Sequence, residues 1–342
     1  MREELDMGYQ IWNRRYTGSK YKLVDWISQL VSEQCEGMSF CDMFAGTAVI
    51  AKRMLDFYDT VYINDLLYSN EIIYRAFFEQ SEYSGAKLEK LKKEFTELDS
   101  EQIPENYVSE NYGDKFFSRK DSLIIGYIRD YLDTDNTLNE KEKNIMVASL
   151  LYSADKAANT VGHYDAYIKG KTIQDKFKFN LIKPYSYPNK RIYITRKDAN
   201  QLAREINCDI VYIDPPYNSR QYSRFYHVLE NICTWKKPEL YGEALKPKPE
   251  NMSEYCKTSA TKTFENLVLS LKCKYIVVSY NNTYNSKSSS SQNKITLYNM
   301  KSILEKRGKV LVYEKPYQFF SAGKTSLDNH KELIFITKGG DL

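Results

Sequence analysis

The sequence predicts an α/β protein: a doubly wound, mostly parallel sheet closed by a C-terminal antiparallel hairpin, with a mainly helical domain inserted into it. Three observations lead there. Two short apolar runs each pass through a tight turn into helical periodicity, further apolar runs alternate with helical stretches, and between about 66 and 190 the pattern changes to long helices. The first passage is a strand over 40–44, a turn at Ala45-Gly46-Thr47 and a helix over about 48–57. The second is a strand over 209–213, the turn Asp214-Pro215-Pro216-Tyr217 and a helix over about 223–233. Other strands are expected at 61–64, 275–280, 310–314 and 333–337, with a helix at about 295–306. The last two strands are joined without a helical crossover, which predicts an antiparallel hairpin at the sheet edge.

Residues 1–65 and 191–342 are accordingly assigned to the sheet domain and 66–190 to the insertion, whose amphipathic helices include 86–98 and 141–158. Charge within the insertion is uneven. Acids outnumber bases over 101–140, whereas 169–197 holds nine Lys and Arg (Lys169, Lys171, Lys176, Lys178, Lys183, Lys190, Arg191, Arg196, Lys197) against Asp175, with Tyr185 and Tyr187 among them. A basic run with interleaved aromatics suits a phosphate-tracking surface, and equally a solvated face. The segment 285–292, with five serines, is expected to be a surface loop.

At 342 residues, 42% hydrophobic and 27% charged, the chain can build one or two domains with a sizeable core, which excludes disorder as its global state. The longest apolar stretches, such as 123–128, fall far short of the roughly 20 residues of a bilayer span. Glu3, Glu4 and Asp6 stand where a signal peptide would be basic, so a cytoplasmic location without membrane attachment is expected. Six cysteines without a CxxC pair, and three histidines in all, indicate neither a disulfide framework nor a metal site. The net charge of +4 says little about partners, but 30 tyrosines supply many stacking faces with polar tips, or reflect compositional drift.

The strongest chemical signal is Asp214-Pro215-Pro216-Tyr217. A carboxylate at the C-terminal end of a sheet strand points into the crevice where open α/β sheets bind ligands. Two prolines remove two N–H donors, which leaves the Asp214 side chain and the Pro215 carbonyl as acceptors without competing donors beside them. Such a pair can hold both hydrogens of an exocyclic amino group while Tyr217 covers the ring. A second signal is Asp42-Met43-Phe44-Ala45-Gly46-Thr47 followed by Asn64-Asp65. Gly46 permits a tight turn with close backbone approach, and Asp65 ends the next strand where an acid would hold ribose hydroxyls. Without the three glycines of a dinucleotide fingerprint, a nucleoside ligand fits better than a pyrophosphate.

These residues resemble a known family. The run from Asp42 to Thr47 is similar to the S-adenosylmethionine (AdoMet) loop of class I methyltransferases, and Asp214 to Tyr217 to the DPPY motif of amino-methyltransferases acting on DNA adenine. With Tyr16-Thr17-Gly18-Ser19-Lys20 at the front and an inserted region before DPPY, the order resembles the alpha-group N6-adenine DNA methyltransferases, the Dam-like or D12 class. The resemblance spans nearly the whole chain and implies the class I AdoMet-dependent methyltransferase fold. It implies that Tyr16 and Lys20 contact the methionine end of AdoMet, that Asp42, Phe44, Gly46 and Thr47 form its loop, that Asp65 holds the ribose, and that Asp198 lies near its adenine. Ala199 stands where an aromatic usually follows that acid, and Ser19 where glycine is more usual.

The segments Asn218-Ser219-Arg220-Gln221-Tyr222 and 155–167 resemble a subgroup of this class, and Tyr226, His227 and Glu230 lie on the helix that follows DPPY. Asn159, His163 and Tyr164, just ahead of the basic run, suit contacts with the target strand, as do Lys169, Lys171, Lys176, Lys178 and Arg220; His163 could equally cap a turn after Gly162. His227, among Phe225, Val228 and Leu229, reads as an interior histidine. The resemblance implies double-stranded DNA as substrate, AdoMet as methyl donor with AdoHcy as product, and permits a cognate restriction endonuclease as partner. The amino-group geometry alone leaves cytosine N4, RNA adenine or a protein amide open. A non-catalytic DNA-binding protein on the same scaffold, or a nicotinamide enzyme, stands further off.

Overall fold

The computed structural model describes residues 8–282, 292–316 and 330–339. Apart from Gln292, the expected serine-rich loop lies outside them. The chain divides into two compact units. One comprises Ser19–Leu66, Asn189–Tyr222 and the chain from Asn251 on; the other comprises Leu67–Pro188 and Ser223–Glu250 with the N-terminal segment up to Gly18.

The first unit holds seven strands: β1 Ser39–Asp42, β2 Thr60–Asn64, β3 Arg191–Thr195, β4 Ile210–Ile213, β5 Tyr275–Asn281, β6 Val310–Pro316 and β7 Lys331–Lys338. Their order is β3-β2-β1-β4-β5-β7-β6. The first five are mutually parallel, and β7 runs antiparallel between β5 and β6, as the C-terminal pattern predicts. Every residue of β4 and β5 is buried, which is why they read as continuous apolar runs: a parallel strand covered on both faces has no solvent side to mark with polar residues. Strand β3 is absent from the sequence-based expectation. Ile192 and Ile194 alternate there with Arg191, Tyr193 and Thr195, but the surrounding charge masks the pattern, and the strand lies half-exposed at the sheet edge.

The order reverses between β1 and β4, since β2 and β3 lie to one side of β1 and the rest to the other. This switch point is where an open α/β sheet places a ligand crevice, at the C-terminal strand ends. The loops leaving β1 and β4 there are the two that carry the Gly46 turn and Asp214.

The second unit is helical, with Tyr68–Phe78, Gly85–Thr96, Tyr107–Tyr112, Arg119–Thr134, Glu140–Ala157 and His227–Thr234. Glu140–Ala157 is buried almost all round rather than amphipathic, because it forms the middle of this unit. Several of its polar groups are satisfied internally: Lys141 Nζ donates to the carbonyls of Arg75 and Ala76, and Ser149 Oγ and Ser153 Oγ accept from the backbone of Ile182 and Asn180. Residues 223–250 and the N-terminal segment belong here for a specific reason. Glu230, 9% exposed, accepts from the N–H groups of Tyr68 and Ser69 at the start of the helix Tyr68–Phe78, where a carboxylate complements the helix dipole. Tyr226 accepts from the Thr17 N–H, and its ring stacks on Tyr16 at 4.8 Å. His227 is interior, with ring nitrogens 3.0 and 2.8 Å from the carbonyls of Arg224 and Ala244, and burial pushes its pKa down to about 4.

All six cysteines are free and buried. Among the described residues no group of His, Cys, Asp or Glu could hold a metal, and no helix is long and apolar enough to cross a membrane.

Candidate active site

Asp214 leaves β4 at the switch point and meets two side chains. Lys20 Nζ lies 2.9 Å from Asp214 Oδ2, and the Tyr217 hydroxyl donates to Asp214 Oδ1 at 2.5 Å. Lys20 also donates to the Tyr217 hydroxyl, which closes a three-membered group. The side chains of Lys20 and Asp214 are 5% and 14% exposed. Burial pushes the Asp214 carboxyl above the usual range, with Lys20 and Tyr217 pulling against it. Burial, and then the Asp214 charge, push the Tyr217 hydroxyl well up. The Tyr217 ring stands edge-on to Tyr280 at 5.1 Å and 87°, and its carbonyl accepts from the Lys294 N–H at 2.7 Å. Its hydroxyl therefore has a part that stacking alone does not include: it occupies one of the acceptors assigned to a substrate amine.

Beside this group lies the turn after β1. Gly46 has φ +53°, in the left-handed region where glycine carries no Cβ penalty, and its N–H donates to Asp65 Oδ2 at 2.9 Å. Asp65 Oδ1 accepts from the Leu66 N–H at 2.8 Å, so the carboxylate that ends β2 is clamped by two backbone donors. Asp42 is buried and accepts from the Ala51 N–H at 3.1 Å, which ties the strand to the helix Val49–Met54. Burial, with Asp214 nearby, pushes its pKa well up. Thr47 Oγ1 lies 3.3 Å from Ser19 Oγ. Asn64, to which the sequence reading gave no role beyond preceding Asp65, is an organiser. Its amide donates to the carbonyls of Met43 and Lys197, and its oxygen accepts from Thr195 Oγ1 and the Lys197 N–H, so one side chain fixes the ends of β1, β2 and β3.

Asp198 caps the helix Ala199–Glu205, accepting from the N–H groups of Asn200 and Gln201. The Phe44 ring meets the buried Tyr255 ring edge-on at 5.0 Å, and Tyr255 donates to Asn200 Oδ1 at 2.7 Å. An aromatic thus stands near the cap although Ala199 supplies none. It comes from a distant segment, and only the aromatic surplus hinted at it.

The remaining candidates are distributed as follows. Tyr16 belongs to the helical unit, stacked on Tyr226. Asn159 donates to the carbonyls of Lys115 and Ile168, which pins its loop. Tyr164 is fully buried and donates to Asp155 Oδ1 at 3.0 Å. The His163 ring stacks on Phe225 at 4.6 Å. Lys169 pairs with Glu243, while Lys171, Lys176 and Lys178 are exposed. Arg220, also exposed, lies in the sheet unit. The basic run is split between the units, and its later members serve the sheet: Lys190 pairs with Asp59, Arg191 donates to Thr60 Oγ1, and Lys197 pairs with Glu205.

The model of the family described as D12 class N6 adenine-specific DNA methyltransferase matches residues 16–310. Type II methyltransferase M.NlaIII of Neisseria lactamica is 29% identical over 344 residues, covering 92% of this chain and 95% of its own. Type II methyltransferase M.CviAII of Paramecium bursaria Chlorella virus 1 is 28% identical over 338 residues, covering 94% and 97%. Modification methylase LlaI of Lactococcus lactis subsp. lactis is 31% identical over 288 residues, covering 78% of this chain and 46% of its own, so the chain spans about half of that relative. A family match running from the segment of Lys20 through Asp65 and Asp214 to the first residue of β6, on a sheet with this strand order, settles the membership: the chain belongs to the D12 class of N6 adenine-specific DNA methyltransferases.

Proposed function

We propose that the protein transfers a methyl group from AdoMet to N6 of an adenine swung out of duplex DNA, within a sequence that the helical unit helps to select. The observation that carries this reading is the buried Asp214 carboxylate at the switch point, bonded to Lys20 and Tyr217 and adjoining the Gly46–Asp65 turn.

The donor set fits AdoMet. Asp65, steadied by the Gly46 and Leu66 N–H groups, places a carboxylate where ribose hydroxyls would be held, Phe44, backed by the buried Tyr255, offers apolar surface for a purine, and Lys20 offers an ammonium for a carboxylate. When bound, AdoMet supplies an electrophilic methyl group on a sulfonium. The chain's residues do the rest. Asp214 and the Pro215 carbonyl accept the amino hydrogens, which favours a localised lone pair on nitrogen and aligns it for in-line attack. For Asp214 to do so, Lys20 and the Tyr217 hydroxyl must give up part of their hold, and a ligand carboxylate competing for Lys20 provides one way. Tyr217 covers the extruded base and replaces some of its lost stacking. His163, the exposed Lys171, Lys176 and Lys178, and Arg220 are the proposed DNA contacts.

The relatives' names also make a type II restriction endonuclease of the same recognition sequence the proposed partner. Mapping modified bases in DNA from cells expressing the protein tests the central reading. N6-methyladenine confined to one sequence motif, and absent with Asp214→Ala, is expected. N4-methylcytosine, or no modification at all, overturns it.

A further inference from the structure

Strand β7 brings a further carboxylate towards this site from far along the chain. Glu332 pairs across the sheet with Asn281, and Ile334 with Ser279. In the next pair, Tyr212 lies level with Val277 and Ile213 with Val278, so the residue after β4, Asp214, comes level with Ser279. Because side chains alternate along a strand, Glu332, Asn281, Ser279 and Tyr212 share one sheet face, together with Asp42, which pairs with Tyr212. Glu332 is 5% exposed. One oxygen lies 3.8 Å from His330 Nε2, and the other accepts no hydrogen bond among the described residues. A buried carboxylate left with an unpartnered oxygen is costly, and a neutral or apolar side chain at this strand position would be more stable.

What the charge does is felt at the strand ends. After burial and the nearer groups, it adds to the upward push on the Asp214 carboxyl and on the hydroxyls of Tyr217 and Tyr212. Lys20, Tyr217 and Glu332 act on Asp214, Asp214 in turn acts on Tyr212 and Asp42, and Glu332 itself faces His330. Asp214, paired with Lys20, thus also lies within the field of Glu332, an arrangement that suits a reaction carrying positive charge at both its start and its end.

We propose that Glu332 is a positioning residue for methyl transfer, a buried charge that strengthens Asp214 as acceptor of the target amino hydrogens. This rests on the reading of Asp214 given above. In the transfer the amino nitrogen forms the N–C bond with its lone pair while the C–S pair returns to sulfur, so the positive charge passes from sulfur to nitrogen. The nitrogen then gives up one proton through Asp214 to solvent. Glu332 stabilises the charge on nitrogen through Asp214 without touching the base.

The test is Glu332→Gln, which keeps the shape and removes the charge. In the ligand-free protein, the carboxyl-carbon NMR titration of Asp214, assigned with Asp214→Asn, is expected to move to lower pH. The single-turnover rate at neutral pH is expected to fall by about tenfold, and its acidic limb to move to lower pH in step with the titration. Glu332→Asp, which retains the charge, should recover part of both and serves if the Gln variant does not fold. An Asp214 titration unmoved by Glu332→Gln, or a slower rate with an unmoved acidic limb, overturns the inference and leaves Glu332 a structural residue. Wild-type turnover by Asp214→Asn overturns the role of Asp214 and the inference with it. A dead Asp214→Asn beside an unmoved titration overturns the inference alone.

Discussion

Two aspartates bracket β4 and are held in opposite ways. At its N-terminal end, Asp209 Oδ2 accepts from the N–H groups of Met38 and Ser39 and from Ser39 Oγ, and Oδ1 lies 2.8 Å from Lys274 Nζ. Burial works to raise its pKa, but Lys274 and the Met38 and Ser39 donors outweigh it and hold the carboxyl down to about 2. At the C-terminal end, the donors that Asp214 meets among the described residues are side chains, and burial keeps its carboxyl above the usual range. The contrast separates a carboxylate fixed by backbone donors from one held by side chains. Asp209 joins β1, β4 and the approach to β5 through backbone donors that cannot leave without unfolding, and Gly37 has no side chain because a Cβ there would come within 2.4 Å of Asp209 Cβ. Asp214 is held by a flexible lysine and a phenol, the two contacts that the proposed role requires to loosen.

Substitution at the two ends should therefore fail in different currencies. Asp214→Ala is expected to reduce single-turnover methyl transfer by about 10²–10⁴-fold, the range for lost acid–base or electrostatic groups, with little loss of thermal stability. Asp209→Ala should do the reverse, lowering the stability read by urea unfolding by about 2–3 kcal/mol while the rate per folded molecule stays unchanged. Tyr217→Phe sharpens the comparison, because it removes one donor from Asp214 and keeps the ring. A net effect of about 0.5–1.5 kcal/mol on the rate is expected, and a variant as inactive as Asp214→Ala would show that the hydroxyl takes part in the chemistry.

The smallest effects are in the pH dependence of stability, and the two ends should carry opposite signs. Asp209 has a depressed pKa in the folded state, so its stabilisation is present above about pH 4 and is lost as pH falls through about 2. Asp214 is raised, so the folded state binds its proton more tightly and stability falls as pH rises from the unfolded value through the folded one. Urea midpoints measured against pH for Asp209→Asn and Asp214→Asn should each lose one of these slopes.

Much of the site could be read locally. The four residues after β4 announce two acceptors and a ring, and the Gly46 turn with Asp65 needs only a strand, a glycine and the next strand end. Both depend on contacts within or just beyond one βα passage, where side-chain periods of 2 and 3.6 leave a trace in the sequence. The antiparallel β6 and β7 were legible because no helical crossover separates them. Strand β3 was not, since an edge strand in a run of lysines and arginines shows only half of its pattern. Nor was the place of Glu230, a helical acid like many others until it proves to cap the start of another helix.

The sequence by itself determined the sheet's parallel core, the carboxylate of Asp214 at the end of β4, the glycine turn and the acid at the end of β2. Tertiary structure alone decided that Lys20 would meet Asp214, that Tyr255 would stand beside Phe44, that Tyr164 would be buried rather than offered to solvent, and that Glu332 would arrive on the face of Tyr212 and Ser279. The physical reason is range. Turn geometry and alternation act over a few bonds, whereas the charge balance of a pocket depends on distances through space between segments whose separation along the chain carries no information about them.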